Sequence, residues 1–347
     1  MPELPEVEAF RRVLLPLVAP EKTNKYRLRI QPVVAYAKDG RQVDPPKAGK
    51  FLSQDDFELL NNQCFLTNVT RKGKLICMHL DLIQVGASST GKKHKQQEAF
   101  IFLHMGMAGR ISSPTTIHGL KSMKDIATYP PQHTHLKLFT DTAEVSFSDS
   151  RKFGFVIFRR DQDEFERLAP DALSIASSGK DDHNKDNAMM FQNAVAGLTE
   201  KSSHIKKILL EQKTDDGGVV SGIGNWVADE VLYQCHIHPK QTFLTAQEAK
   251  RLLLKLLEIL QTAVDCMEAR EEFPKDWLFH HHWNGKKKGA KDAKGQSIGN
   301  VTVAGRTSYF VPSIQKILAR TKPHKKRKAE TTEDAEIRGK RVAVVTP

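Results

Sequence analysis

The sequence predicts an α+β protein: a short N-terminal helix leads into a β-sandwich, and a helical region and a hairpin follow. Three observations carry this reading. Apolar residues recur at helical spacing near the N-terminus and again through residues 191–270. Between them, residues 26–158 hold short strand-like runs separated by Gly, Pro and Ser clusters. After Trp277, several glycines accompany two short β-type runs, which fits a hairpin.

In chain order, Pro5 suits the first helical position, and Glu6 and Glu8 fall in the first turn, where the helix dipole favours anions. Val7, Phe10, Val13, Leu14 and Leu17 make one buried face, and Pro16 and Pro20 limit the helix to about three turns. Runs at 65–69, 75–80, 100–104, 136–139, 145–148 and 155–159 supply the sandwich. Two polar, turn-rich stretches, 84–98 and 112–132, read as surface insertions, and 174–187 as an interdomain linker. Ile205, Ile208, Leu209 and Gln212 mark one helix. A second runs through Trp226, Val231 and Leu232 to His238-Pro239. Thr245 and Glu248 form a capping box for a long helix carrying Leu252, Leu253, Leu256, Ile259, Leu260 and Ala263. The expected divisions are 1–160, a linker 161–190, 191–272, 273–318 and a basic tail 319–347.

With 347 residues the chain can fill about two cores, and its formal charge of +12 favours a polyanionic partner, nucleic acid ahead of an acidic membrane. The four cysteines lie far apart, with neither a Cys-x-x-Cys pair nor zinc-ligand spacing, so reduced intracellular thiols are expected. No signal peptide is recognisable and no apolar run approaches membrane-spanning length, so no membrane partner is expected. The basic run 322–328 reads as a nuclear localisation signal, implying the nucleus and its import machinery; the alternative is a solvated charge run.

The chemistry begins at Pro2. Once Met1 is trimmed, this residue presents a secondary amine that forms an already cationic iminium with an aldehyde carbon, an electron sink for covalent catalysis. An α-amino group titrates near 7.7–8.0 against about 10.4 for lysine, so more of it is free base at neutral pH. Glu3 and Glu6 stand within reach for proton transfer. An ordinary second-position proline in a frayed terminus is the bland alternative. Farther on, Val220-Ser-Gly-Ile-Gly-Asn225 places glycines before a helix N-terminus. With Asn225 and the flanking Lys206 and Lys207 it reads as a phosphate clamp; alone it would be a plain turn.

Taken together, Met1-Pro-Glu-Leu-Pro-Glu-Val-Glu, Arg71-Lys-Gly-Lys74, His104-Met-Gly-Met-Ala-Gly109, Asp149-Ser-Arg-Lys-Phe-Gly154, Ile223-Gly-Asn225 and Gly305-Arg-Thr307 resemble, in order, the formamidopyrimidine-DNA glycosylase family, relatives of endonuclease VIII. The resemblance spans roughly residues 1–318. It implies a β-sandwich joined to a helix–two-turn–helix domain, with double-stranded damaged DNA in the cleft. It also implies Pro2 as Schiff-base nucleophile, Glu3 as acid/base group, Glu6 as a deoxyribose-positioning residue and Lys74 as a phosphate contact that aids base removal. Met107, Arg151 and Phe153 resemble the trio that fills the space left by an extruded nucleotide: an apolar plug, a guanidinium for the orphaned base and an aromatic wedge. Asn225 and Arg306 would bind phosphate.

Two departures refine the resemblance. Bacterial relatives end in a four-cysteine zinc finger, whereas no cysteine follows Trp277 here; the stretch resembles the zincless finger of plant and fungal members, and neither metal nor cofactor is implied. His280, His281 and His282 lack spaced partners and read as incidental or DNA-facing. The segment 267–274 is short where bacterial members carry a loop over 8-oxoguanine, which favours formamidopyrimidines and hydantoins over 8-oxoguanine. The implied protein is a monomeric, bifunctional glycosylase and AP lyase of base excision repair, cutting by β,δ-elimination. Its rivals are an endonuclease VIII-like enzyme for oxidised pyrimidines and a non-catalytic damage binder. An intact Pro2, Glu3 and Lys74 argue against the latter.

Overall fold

The computed structural model describes residues 2–33, 49–83, 97–115, 129–176, 185–282 and 289–319. The first helix, α1 (Leu4–Leu14), is opened by a capping box in which Glu3 and Glu6 each accept from the other's backbone N–H, with Pro5 inside the first turn. A 3₁₀ turn, Leu15–Leu17, ends it at Pro16. Its apolar stripe is divided between two cores. Val7, Phe10, Leu14 and Leu17 are buried in the sandwich, whereas Leu4 is buried among the helices of the second half. The chain thus begins at the junction of the two halves.

After β1 (Arg29–Pro32) and α2 (Gln54–Leu60) come β2 (Cys64–Lys72), β3 (Leu75–Leu82), β4 (Gln97–His104), β5 (Arg110–Ser112), β6 (Thr134–Phe139), β7 (Glu144–Ser148) and β8 (Phe155–Arg159). They form two antiparallel four-stranded sheets, ordered β2-β3-β4-β8 and β1-β6-β7-β5. Inward residues such as Leu66, Ile76, Ile101, Leu136 and Phe147 fill the space between them. All six expected runs are strands. Most of the two expected insertions, 84–96 and 116–128, lies outside the described residues.

The second half opens with α3 (Asp163–Glu166), α4 (Ala172–Ala176) and α5 (Lys185–Glu200). The stretch 174–187, read as a linker, is therefore helical at both described ends; Ile175, Phe191 and Ala194 bury themselves in the helical core and hold it there. Next come α6 (Ile205–Leu210), α7 (Asn225–Gln234), α8 (Ala246–Ala269) behind its Thr245–Glu248 capping box, and α9 (Phe279–His282). Gln212 falls beyond the end of α6 rather than on its face. The antiparallel hairpin β9 (Gly299–Val303) and β10 (Arg306–Phe310) packs on α7 through Tyr233, Leu278, Tyr309 and Val311.

Candidate active site

The centre of the site is Glu3, 2 % exposed, whose carboxylate caps α1 and also reaches into the second half. Its Oε1 accepts from Trp226 N at 2.9 Å and its Oε2 from Val227 N at 3.0 Å, the otherwise unsatisfied donors of the first turn of α7. Leu4 N donates to Gly222 O at 3.1 Å, which fastens the neighbouring backbone to the same joint. Gly224 is required by this approach: a Cβ there would stand 2.2 Å from Glu3 Cδ. Pro2, half-buried, immediately precedes this anchor. Glu6 is buried beside it, accepting Glu3 N at 3.0 Å and Trp226 Nε1 at 3.2 Å. Burial, and then the neighbouring Glu3 charge, push the Glu6 carboxyl up to about 7.

Lys74 enters from the β2–β3 turn, with Nζ donating to Ile223 O at 2.8 Å. Loss of solvent lowers its ammonium to about 8; the Glu3 and Glu6 carboxylates oppose this and Arg306 adds to it. Lys74, Glu3, Glu6 and Arg306 therefore share one electrostatic neighbourhood. The turn is held by Arg71, whose guanidinium bridges Glu8 Oε2 (3.1 Å) and Asp171, while Asp171 Oδ2 also accepts Gly73 N at 2.6 Å. Gln212 braces the opposite side, donating to Ile223 O at 3.0 Å and accepting Gly222 N at 2.8 Å.

Two loops build a second group. Gly106 (φ +55°) starts the turn that carries Met107, and a Cβ there would lie 2.3 Å from Gly154 N, so the loops touch backbone to backbone. Buried Asp149 shapes the facing loop by accepting Arg151 N at 3.0 Å and Gly154 N at 2.8 Å. His104 stacks on Phe155 and accepts Gly106 N at 3.1 Å; burial, and then the Lys74 charge, press its imidazolium down to about 4, so it stays a neutral acceptor. This scaffold leaves Met107 42 % and Phe153 50 % exposed, with the exposed Arg151 guanidinium 5.0 Å over the Phe153 ring. Two large apolar side chains are thus displayed on neighbouring braced loops.

The hairpin brings Arg306, exposed at its tip, towards Lys74. Asn225 Nδ2 donates to Thr307 O at 3.0 Å, tying the start of α7 to the hairpin. The joint itself differs from the expected phosphate clamp in two respects. The N–H groups of Trp226 and Val227 are engaged by Glu3, and Lys206 is 0 % exposed, with Nζ 2.5 Å from Asp229 Oδ1. A lysine closed off from solvent and matched to an internal carboxylate has no reach to a phosphate.

Comparison with known proteins matches this architecture. The model of the formamidopyrimidine-DNA glycosylase N-terminal domain matches residues 1–156, and that of the formamidopyrimidine-DNA glycosylase H2TH domain matches residues 179–273. The chain belongs to the formamidopyrimidine-DNA glycosylase family. It is thus a DNA glycosylase of base excision repair, in a family whose enzymes combine glycosylase and AP lyase activity. A formamidopyrimidine-DNA glycosylase of Arabidopsis thaliana is 30% identical over 328 residues, covering 91% of this chain and 71% of the relative. A formamidopyrimidine-DNA glycosylase of Thermus thermophilus is 26% identical over 331 residues, 91% of this chain and 98% of its own length. Among solved structures, Lactococcus lactis formamidopyrimidine-DNA glycosylase bound to DNA containing an AP site shares the fold. Its TM-score is 0.58 at 21% identity, covering 91% of this chain and 100% of that one.

Several positioning residues escaped the sequence reading. In the sequence Trp226 shows only helical spacing, although its backbone serves Glu3 and its indole serves Glu6. Asp171 gave no local signal at all, because its partners Arg71 and Gly73 lie about a hundred residues away. Gln212 continues the helical spacing of Ile205 and Ile208, but α6 ends before it.

Proposed function

We propose that the mature enzyme begins at Pro2 and removes oxidised purines through a Schiff base, then cuts the strand by β- and δ-elimination. The Pro2 amine attacks C1′ as the bond from C1′ to the base breaks, with the departing base taking a proton. Glu3 takes the proton that the Pro2 nitrogen sheds and passes it to the ring oxygen as the sugar opens, leaving a cationic iminium. That cation acidifies the C2′ proton; its removal expels the 3′ phosphate, and a second elimination expels the 5′ phosphate. Glu6 positions the deoxyribose, and Lys74, Asn225 and Arg306 engage phosphates. Met107, Arg151 and Phe153 fill the gap after extrusion. The observation that carries the reading is the anchoring of Glu3 on α7, one residue from half-buried Pro2 and close to Lys74.

Formamidopyrimidines and hydantoins are the preferred substrates in this reading, ahead of 8-oxoguanine. Its support is the way the short segment after α8 is tied down. Glu271 N donates to Cys266 O at 2.8 Å, and buried Phe273 packs among Trp226, Trp277 and Phe279. Little chain remains there to fold over a base. The hairpin acts as a zincless finger: no cysteine follows Trp277, and Tyr233 Oη donates to the buried Asp292 carboxylate at 2.9 Å to organise its base. The enzyme works as a monomer in the nucleus. The basic run 322–328 that would engage import machinery lies outside the described residues.

Borohydride reduction in the presence of a lesion-containing duplex, followed by mass mapping of the cross-link, tests the chemistry. Attachment at Pro2 is expected. Pro2→Gly should abolish scission of lesion duplexes while DNA affinity stays largely intact. Full cleavage by that variant, or by a chain that retains Met1, overturns the scheme. Competition between oxidised purine and pyrimidine duplexes tests the substrate class.

A further inference from the structure

Helix α7 carries polar side chains at positions 225, 229 and 233, spaced to fall on one face, and all three meet the finger. Asn225 Nδ2 donates to Thr307 O (3.0 Å), Asp229 Oδ2 accepts Tyr309 N (3.1 Å), and Tyr233 Oη donates to Asp292 Oδ2 (2.9 Å). The two hairpin contacts are to backbone atoms, so they read the position of β10 and not its side chains. The middle rung is the unusual one. Asp229 is 1 % exposed, and its other oxygen takes the Nζ of Lys206, the fully buried lysine of α6. A charged pair closed off from water is no economical way to gain stability; its best-attested use is to fix register. The pair sits close enough to the site for Lys206 to sense both the Glu3 and the Arg306 charges.

We infer that the buried Lys206–Asp229 pair is the register pin of the finger, holding β10 against α7 so that Arg306 stands over the Lys74–Glu3 centre. Both are positioning residues: neither reaches substrate, and they act through the Tyr309 amide and hence through Arg306. A slip of β10 along α7 would move its tip away from Lys74 while leaving Glu3 on the helix start. Loss of the pin should therefore weaken DNA engagement, not the bond-breaking step. This inference rests on the proposed contact between Arg306 and phosphate.

The test uses full-length mature enzyme and a duplex carrying a stable abasic-site analogue, with affinity measured across salt concentrations. Arg306→Ala is expected to weaken binding roughly tenfold and to flatten the log–log salt slope by about 0.9, one phosphate contact. Asp229→Ala should reproduce both changes, and Asp229→Ala/Arg306→Ala should bind no worse than Arg306→Ala. For Asp229→Ala, single-turnover incision at saturating enzyme should stay within about threefold of wild type. Should Asp229→Ala fail to fold, Lys206→Met/Asp229→Leu replaces both charges by apolar volume and carries the same expectations. Multiplying losses in the double variant, or a wild-type salt slope without the pair, would overturn the pin. Should Arg306→Ala itself leave binding and slope unchanged, the phosphate reading of Arg306 fails. The pin is then judged by hydrogen exchange: faster exchange at the Tyr309 amide without the pair supports it, and unchanged exchange overturns it.

Discussion

Lys74 carries a pH signal that can be worked out from its surroundings. In the free enzyme its ammonium is held down to about 8, chiefly by burial. A phosphate placed against it would raise that value, so DNA binding above pH 8 requires the uptake of a proton. Affinity for an abasic duplex should therefore fall as pH rises above 8, by at most about tenfold per unit. Lys74→Arg, charged throughout that range, should flatten the decline when measured by fluorescence anisotropy. An equal decline in both proteins would mean that another group carries it. Gly224 provides a second test at this scale. Its substitution by Ala drives a methyl group into Glu3 Cδ, and misplacement of about 1 Å costs on the order of 100-fold in rate. Gly224→Ala should lose about that much single-turnover incision while its DNA affinity changes less than threefold; unimpaired incision would remove Glu3 from the chemistry.

Elements were legible in proportion to how local their causes are. The runs that became β2, β3, β4, β6, β7 and β8 announce themselves through their own apolar content, and the α8 capping box through two residues three apart. Strand β1, with sequence Arg-Ile-Gln-Pro, buries only Ile30 and owes its existence to pairing with β6; β5 is three residues long. Neither could be read from its own composition. The joint before α7 was legible as glycine-rich and anion-seeking. Its anion, however, is a carboxylate some 220 residues earlier in the chain, which no local pattern reports. Lys206 failed for the same reason: helical spacing shows its position, whereas only the packed fold shows that Asp229 waits on the neighbouring helix.

At the scale of the molecule, Arg71 links the halves by joining Glu8 of α1 to Asp171 of the second half. Arg71→Met should cost about 3 kcal/mol, because it strips a buried carboxylate of its counter-charge. The effect has a pH signature. Burial pushes the Glu8 carboxyl up, but the hydrogen bonds and charges of Arg11 and Arg71 outweigh it and hold the group at about 2. A value depressed below 4.5 contributes stability that is present above about pH 4.5 and is lost as pH falls towards 2. The gap in melting temperature between wild type and Arg71→Met should therefore narrow across that window; a constant gap would leave Glu8 out of the linkage. The junction also constrains how the protein can be handled. Glu3 N, the Glu3 carboxylate and Leu4 N are all fixed in the interior by the third and fourth residues, so the leading end has no slack. An affinity tag fused ahead of residue 2 would have to leave beside Glu3 and Lys74, in the space that the proposed function gives to the duplex. Under the proposed chemistry it would cap the Pro2 nitrogen as well, whereas a tag at the other end of the chain leaves that nitrogen free.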